Sequence, residues 1–235
     1  MLGIWSGYEA GLSPPKVLDV AGGTGDIAFR IAEQFQPYLS DGIATTDVRD
    51  ASKDDKDGSL EAREAGEDHP LLTVSDINPD MLRVGSQRAE DKFSARTLDA
   101  MRFVVADAEA LPFPDDSFDI YTIAFGLRNV THVDKALEEA HRVLRPGGRF
   151  MCLEFSHVEV EPLRQLYDWY SFSIIPTIGE AVANDREAYQ YLVESIRMFP
   201  GQVELEGRMS AAGFKLVSHR NLTAGVVAIH SGFKL

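Results

Sequence analysis

The chain has 235 residues and a mass of 26.0 kDa, which allows one α/β domain with an elaboration and a substantial core, and excludes a peptide hormone or disulfide knot. Hydrophobic residues make up 44% and charged residues 26%, as in a globular protein rather than a disordered or membrane-spanning one. Its 37 acidic against 23 basic residues give a net charge of −14. That charge opposes nucleic-acid binding, which needs a clustered basic surface to neutralise phosphates.

No Lys or Arg precedes Lys16, so the opening residues resemble neither a secretory nor a mitochondrial targeting segment. The expectation is a chain that works where it is made, or one whose targeting segment has been removed. The run KVLDV (Lys16 to Val20) reads as a strand leading into a glycine cluster, and Ile27, Ile31 and Phe35 after it have helical spacing. Residues 40–70 lack a sustained apolar period. Between Asp41 and Asp68 they hold ten acidic and four basic residues, a local balance of −6, and they read as a surface insertion. LLTVSD (Leu71 to Asp76) is a second strand, with Asn78 placed to cap a helix that starts at Pro79. MRFVVAD is a third strand, ending at Asp107-Ala108, and SFDIYTIAF is a fourth.

From Thr131 onward Val133, Ala136, Leu137, Ala140, Val143 and Leu144 recur at helical spacing, and Pro146-Gly147-Gly148 is expected to stop that helix and lead into the strand RFMCLEF. Residues 156–209 break the rhythm with helical, aromatic-rich segments and read as a helical cap region. FKLVSHRNL, TAG and VVAIHSGFKL then read as an antiparallel hairpin. Five strand-then-helix units followed by a hairpin predict an α/β, Rossmann-like fold, with a mostly parallel seven-stranded sheet in a single domain spanning 1–235.

The single cysteine, Cys152, excludes an intramolecular disulfide and a multi-cysteine metal site. In FMCLEF, with no adjacent base, it reads as a core residue. The longest run free of Asp, Glu, Lys and Arg is Asn221 to Phe233, 13 residues, short of the ~20 that cross a bilayer.

The sharpest signal is VLDVAGGTGDIAFR. Gly23-Thr24-Gly25-Asp26-Ile27-Ala28 fits G-x-G-x-x-G/A between a strand and a helix. Glycine there lets the backbone turn sharply and lets a ligand approach where a Cβ would clash; the alternative is a turn that only packs helix on strand. Asp19, just before the turn, would oppose a pyrophosphate but suit an ammonium or sulfonium group, which argues against NAD. Asp76 closes the second strand, where an acceptor can bind both hydroxyls of a ribose, or merely cap a helix. It lies 51 residues beyond Gly25 instead of the ~20 of a dinucleotide fold, an excess that the acidic insertion accounts for. Asp107 and Ala108 suit an adenine edge. Asp19, Gly22, Gly23, Thr24, Gly25, Asp76, Ile77, Asp107 and Ala108 together form the candidate cofactor site.

The segments DVAGGTG, DINPDML, DAEALPFPDDSFDIYTIAFGLRNV and RVLRPGG resemble the class I S-adenosylmethionine-dependent methyltransferases. AFGLRNVTH, LEFS, YDWYSFSIIPTIGE, YQYLVESIRMFP and NLTAGVVAIHSGFKL are similar, more narrowly, to the C-methyltransferases of ubiquinone and menaquinone biosynthesis. The resemblance covers Lys16 to Leu235 apart from the insertion, which is itself like that of the eukaryotic, mitochondrial members. It implies S-adenosyl-L-methionine as cofactor, with Thr24, Asp76, Asp107 and Ala108 binding it, and methylation of a ring carbon of 2-methoxy-6-polyprenyl-1,4-benzoquinol. It further implies a peripheral place on the matrix side of the mitochondrial inner membrane, among other ubiquinone-biosynthesis proteins, with homodimerisation as one arrangement.

Transfer from a sulfonium to an aromatic carbon needs no metal, and positioning supplies much of the rate. The ring carbon becomes nucleophilic when a neighbouring hydroxyl loses its proton, so a base or a phenolate-stabilising cation is expected. Arg128 and Asn129, in GLRNVTH after the fourth strand, are the candidate catalytic residues. Arg128 is too basic for an ordinary base but can stabilise a phenolate or orient a water; the alternative is a structural ion pair. His132 is a second candidate or a helix cap, and His141 and His157 read as structural or exposed. WYSFSIIPTIG (Trp169 to Gly179) either lines a passage for the polyprenyl tail or packs the cap onto the sheet.

The 15 residues ahead of Lys16 do not match the Tyr-Asp and Met-Asn-Asp patterns that family members carry in an N-terminal helical segment. A non-catalytic or truncated scaffold subunit, a methyltransferase for menaquinone or another small molecule, and an NAD enzyme stand as alternatives. Deletion of residues 40–68 is expected to leave donor binding intact by calorimetry, and its loss would contradict a dispensable insertion.

Overall fold

A computed structural model describes residues 14–40, 70–158 and 186–235. Most of the 40–70 insertion lies outside them, as does the part of the cap that contains Tyr167, Tyr170 and the Trp169 to Gly179 segment. The described elements are β1 (Val17–Val20), α1 (Asp26–Ser40), β2 (Leu72–Asp76), α2 (Pro79–Lys92), α3 (Ala95–Asp99), β3 (Met101–Val105), β4 (Phe118–Ala124), α4 (Val133–Val143), β5 (Leu144–Phe155), α5 (Arg186–Met198), α6 (Gln202–Ala211), β6 (Lys215–Leu222) and β7 (Val227–Phe233).

The seven strands form one sheet in the order β3-β2-β1-β4-β5-β7-β6. Neighbours among β1 to β5 are parallel, and β7 is antiparallel to both β5 and β6. β1 is buried along its whole length, as parallel strands covered on both faces require. Its side chains alternate between two cores. Leu18 and Val20 pack with Tyr121, Ile123, Leu137 and Phe150, and Val17 packs with Phe29, Ile31, Leu72 and Val74. The hairpin turns at Thr223–Gly225, with positive φ at all three residues, and feeds β7 between β5 and β6. As expected, Asn78 caps α2, its Oδ1 accepting from Asp80 N at 2.9 Å and Met81 N at 3.3 Å, with Pro79 at the first position.

The strand-then-helix rhythm is broken once, since β3 passes to β4 without an intervening helix, and three local expectations are corrected. β3 ends at Val105 rather than at Asp107-Ala108, because the Asp107 carboxylate accepts from Glu109 N at 2.9 Å and bends the chain away, as Asp does in turns. Leu144 belongs to β5, paired with Phe118, not to the preceding helix. Pro146-Gly147-Gly148 is a bulge within β5: pairing with β4 jumps from Phe118↔Leu144 to Ile120↔Arg149. Gly147, at φ +85, makes the bend, and two backbone bonds tie it to the C-terminal end, Gly147 N to Lys234 O at 2.7 Å and Lys234 N to Gly148 O at 3.0 Å. The short helix α3 carries no periodicity long enough to announce itself.

Cys152 is fully buried, and burial pushes its thiol pKa up, consistent with a core residue. No helix of the described residues is long and apolar enough to cross a membrane. The tightest approach in the fold joins the ends of β1 and β4, where a Cβ on Gly126 would come within 2.3 Å of Ala21 Cβ. Gly126→Ala is therefore expected to cost about 2 kcal/mol and to lower Tm by roughly 4–8 °C in thermal unfolding.

Candidate functional site

The order of strands reverses between β1 and β4, and open α/β sheets place ligands beyond the carboxyl ends of the strands at that point. The chain leaves β1 through a turn in which Ala21, Gly23 and Gly25 have φ of 53°, 53° and 89°. The turn is tied to β2 twice: Gly22 N donates to Ser75 O at 3.0 Å and Gly23 N to Asp76 Oδ2 at 2.9 Å. Asp76 Oδ1 accepts from Asn78 N at 2.9 Å, so both carboxylate oxygens are held and each keeps lone-pair capacity for an outside donor. From below, α2 packs against the turn through Gly85, where a Cβ would lie 3.1 Å from Gly23 O.

Thr24 Oγ1 donates to Asp26 Oδ2 at 3.1 Å, and its carbonyl accepts from Arg88 Nη1 at 2.9 Å. Hydrogen bonds from Arg88 and then Thr24 hold the Asp26 carboxyl below its usual range. Ile77 projects into solvent with 68% of its surface exposed. Asp107 is exposed beside the buried Ala108.

Asp19 lies beneath the turn, 1% exposed. Thr122 Oγ1 donates to its Oδ1 at 2.6 Å, while Oδ2 is buried without a partner. Burial raises its pKa to about 7, against the lowering effect of Thr122 and the Ala28 amide, and the nearby Asp76 charge adds to the rise. The acid inferred from sequence is present at the place expected, but near neutral pH it is divided between its protonated and charged forms.

Arg128 sits in a single 3-10 turn, Leu127–Asn129, after β4. Its Nη1 pairs with Glu154 Oε1 at 2.9 Å, its backbone N donates to Glu154 Oε2 at 3.3 Å, and Nη1 also donates to the Phe125 carbonyl. The guanidinium lies over the Phe155 ring, 5.4 Å from its centre. The ion pair held open as an alternative from sequence is thus present, yet Nε of the same guanidinium is buried with no partner. Asn129 is exposed, and its Oδ1 accepts from Tyr191 OH at 3.4 Å. His132 begins α4 without a side-chain cap; its Nδ1 lies 2.8 Å from Glu109 Oε2. Beside these residues runs a groove of about 440 Å³ lined by Arg128, Val130, His132, Tyr191, Met198 and Phe199.

Glu154 was not among the residues marked from sequence. The signal was there: an acid in LEFS, at the end of an otherwise apolar strand. It is 1% exposed, and burial raises its pKa despite the Arg128 charge. His141 packs its ring edge on Phe214, 5.1 Å between centres, and burial lowers its pKa, so it belongs to the core rather than the site.

Besides His230 Nδ1 in β7, four polar side-chain atoms of the described residues are buried without hydrogen-bond partners: Asp19 Oδ2, Ser75 Oγ, Arg128 Nε and Ser156 Oγ. These four lie at or just beyond the carboxyl ends of β1, β2, β4 and β5. Such atoms are few in native proteins, and each calls for an explanation, a ligand or an ordered water among them.

The model of the ubiE/COQ5 methyltransferase family matches residues 5–234. The mouse protein named mitochondrial 2-methoxy-6-polyprenyl-1,4-benzoquinol methylase is 51% identical over 222 residues, covering 94% of this chain and 67% of its own length. The Arabidopsis thaliana protein of the same name is 51% identical over 220 residues, covering 94% and 70%. Among solved structures, the YcgJ protein of Bacillus subtilis superposes with a TM-score of 0.57 at 19% identity, covering 94% of this chain and 92% of its own. A SAM-dependent methyltransferase from Thermotoga maritima superposes with a TM-score of 0.54 at 15% identity, covering 95% and 84%. These structures share the fold.

Asp19 generates a pH test. With its folded pKa raised, the unfolded chain loses this proton near the ordinary value of 3.8 while the native chain holds it to about 7, so this group takes stability away as pH rises across that window. Asp19→Asn is expected to be more stable than the parent at pH 8 than at pH 4, by up to about 4 kcal/mol, in urea unfolding at the two pH values. An equal difference at both would show an ordinary carboxyl.

Proposed function

Since the chain belongs to the ubiE/COQ5 methyltransferase family, we propose that it methylates a ring carbon of 2-methoxy-6-polyprenyl-1,4-benzoquinol, with S-adenosyl-L-methionine as the methyl donor. The observation that carries the proposal is the set of unpartnered buried polar atoms along the carboxyl edge of β1, β2, β4 and β5, joined to an Asp76 carboxylate already oriented by two backbone amides. The substrate follows from the name carried by the mouse and Arabidopsis relatives.

The residues fit the donor. Asp76 can accept from the two ribose hydroxyls with the lone pairs its amide partners leave, and the exposed Ile77 beside it offers an apolar surface. Asp107 would accept from the adenine amine, with Ala108 as a small wall. The turn from Gly22 to Gly25 would let the ligand approach the backbone, and Asp19 beneath it would, in its charged form, favour a cationic ligand. When bound, the donor supplies a methyl group already activated by its sulfonium.

The remaining tasks fall to the chain. Arg128 stabilises the quinol oxygen as its proton leaves, which raises electron density at the neighbouring ring carbon. That proton passes to water, since the guanidinium stays charged; once the carbon has accepted the methyl, its ring hydrogen leaves as a proton and the oxygen is reprotonated, so one proton is released for each methyl transferred. Asn129, whose Oδ1 accepts from Tyr191, keeps its amide hydrogens for the same oxygen. On this reading the protein works in the mitochondrion, as its relatives are named to do. It meets the polyprenyl tail at the matrix face of the inner membrane, beside the other enzymes of ubiquinone biosynthesis.

Incubation with donor and a short-chain methoxybenzoquinol is expected to yield one new C-methyl by mass spectrometry; O-methylation, or no product at all as from a non-catalytic scaffold, would overturn the proposal. Asp76→Ala is expected to weaken donor binding about 100-fold. Arg128→Ala is expected to lower kcat by about 10²–10³ at unchanged donor affinity.

A further inference from the structure

We infer that Glu154 is a positioning residue: it locks the Arg128 guanidinium in one orientation and so fixes where the quinol oxygen is held. The inference rests on the proposed function and adds a residue to it.

Glu154 lies near the end of β5, where burial at 1% exposure favours an apolar side chain. A buried carboxylate persists only when its oxygens are paired, and here all the donors come from the two segments that leave the sheet at this edge. Oε1 accepts from Arg128 Nη1 at 2.9 Å and from Phe155 N at 2.8 Å, and Oε2 accepts from Arg128 N at 3.3 Å. One carboxylate thereby clasps both the side chain and the backbone of Arg128. Replacing such a pair by apolar residues is often neutral or stabilising, so stability alone gives little reason to keep it.

The geometry supplies another reason. A guanidinium has three nitrogens, and Glu154 and the Phe125 carbonyl engage the same one, Nη1. The Phe155 ring covers its face. With plane and heading set, the edge bearing Nε is left without a protein partner. Without the Glu154 carboxylate the guanidinium would keep only the Phe125 carbonyl and the ring, and could rotate away. Misplacement by about 1 Å costs on the order of 100-fold in rate where positioning carries the chemistry.

The test is a double-mutant cycle on kcat, with saturating donor and a short-chain methoxybenzoquinol, using Glu154→Gln, Arg128→Lys and the double variant. Glu154→Gln is expected to lower kcat on the order of 10–100-fold with donor affinity unchanged, and the double variant to be no slower than Arg128→Lys alone, because Glu154 acts through Arg128. Full kcat in Glu154→Gln, or losses that multiply in the double variant, would overturn the inference. Should Glu154→Gln fail to fold, Glu154→Asp decides: it keeps the charge but falls short of reaching Arg128 Nη1 and N together. A reduced kcat at unchanged donor affinity supports the inference, and full activity overturns it. If the parent gives no C-methylated product, the proposed function fails and this inference falls with it; a fully active Arg128→Lys leaves the function standing and overturns the inference. Impaired Arg128→Lys beside normal Glu154→Gln removes the inference alone.

Discussion

Two backbone amides, Gly22 N and Gly23 N, bind the turn after β1 to the end of β2 through Ser75 O and Asp76 Oδ2, and the rest of the site depends on that tie. A chain leaving a fully buried strand must turn with its amides paired, because an unpaired buried N–H costs as much as a lost hydrogen bond. Pairing one of them with a side-chain carboxylate rather than a carbonyl orients the acid at the mouth of the crevice. The same turn leaves room beneath for Asp19, and its contact with Gly126 holds the start of the segment after β4 against the end of β1.

The two deeply buried acids near this edge are treated in opposite ways. Asp19 has a neutral partner, Thr122, and one oxygen with none; its charge is weakly supported, and its pKa rises to about 7. Glu154 has a cation and two backbone amides, so that burial raises its pKa while Arg128 and the amides oppose the rise. Donors facing a carboxylate oppose the rise that burial alone produces, and Glu154 has more of them than Asp19. Asp19 is suited to respond to a cation arriving above the turn. Glu154 is suited to hold a cation still.

Much of the fold was legible because its signals are local. Short apolar runs, the first leading into glycines and the second and third closing on aspartate, marked the parallel strands, the Asn78-Pro79 pair marked the start of α2, and Thr223-Ala224-Gly225 marked the hairpin. Where local signals conflicted with tertiary demands, the tertiary demands won. Leu144 continued the helical period of α4 but pairs with Phe118, because β4 offers it a ladder partner in the core. Pro146-Gly147-Gly148 has the composition of a stop and serves as a bulge, since the C-terminal end of the chain bonds back to Gly147 and Gly148.

The site divides along the same line. By itself the sequence determined the chemistry on offer: a glycine turn flanked by Asp19 and Asp76, an acid-alanine pair at Asp107-Ala108, and Arg128-Asn129 after the fourth strand, together with motifs that marked the family. These are properties of residue type and short spacing, which survive without coordinates. Only the tertiary structure decided which of those groups carry free valences. It buried Asp19, which raises its pKa to about 7, and set against Arg128 a glutamate 26 residues away. Among the described residues it left Arg128 Nε buried without a partner, because pairing and desolvation depend on what the fold brings alongside, which no local pattern of residues encodes.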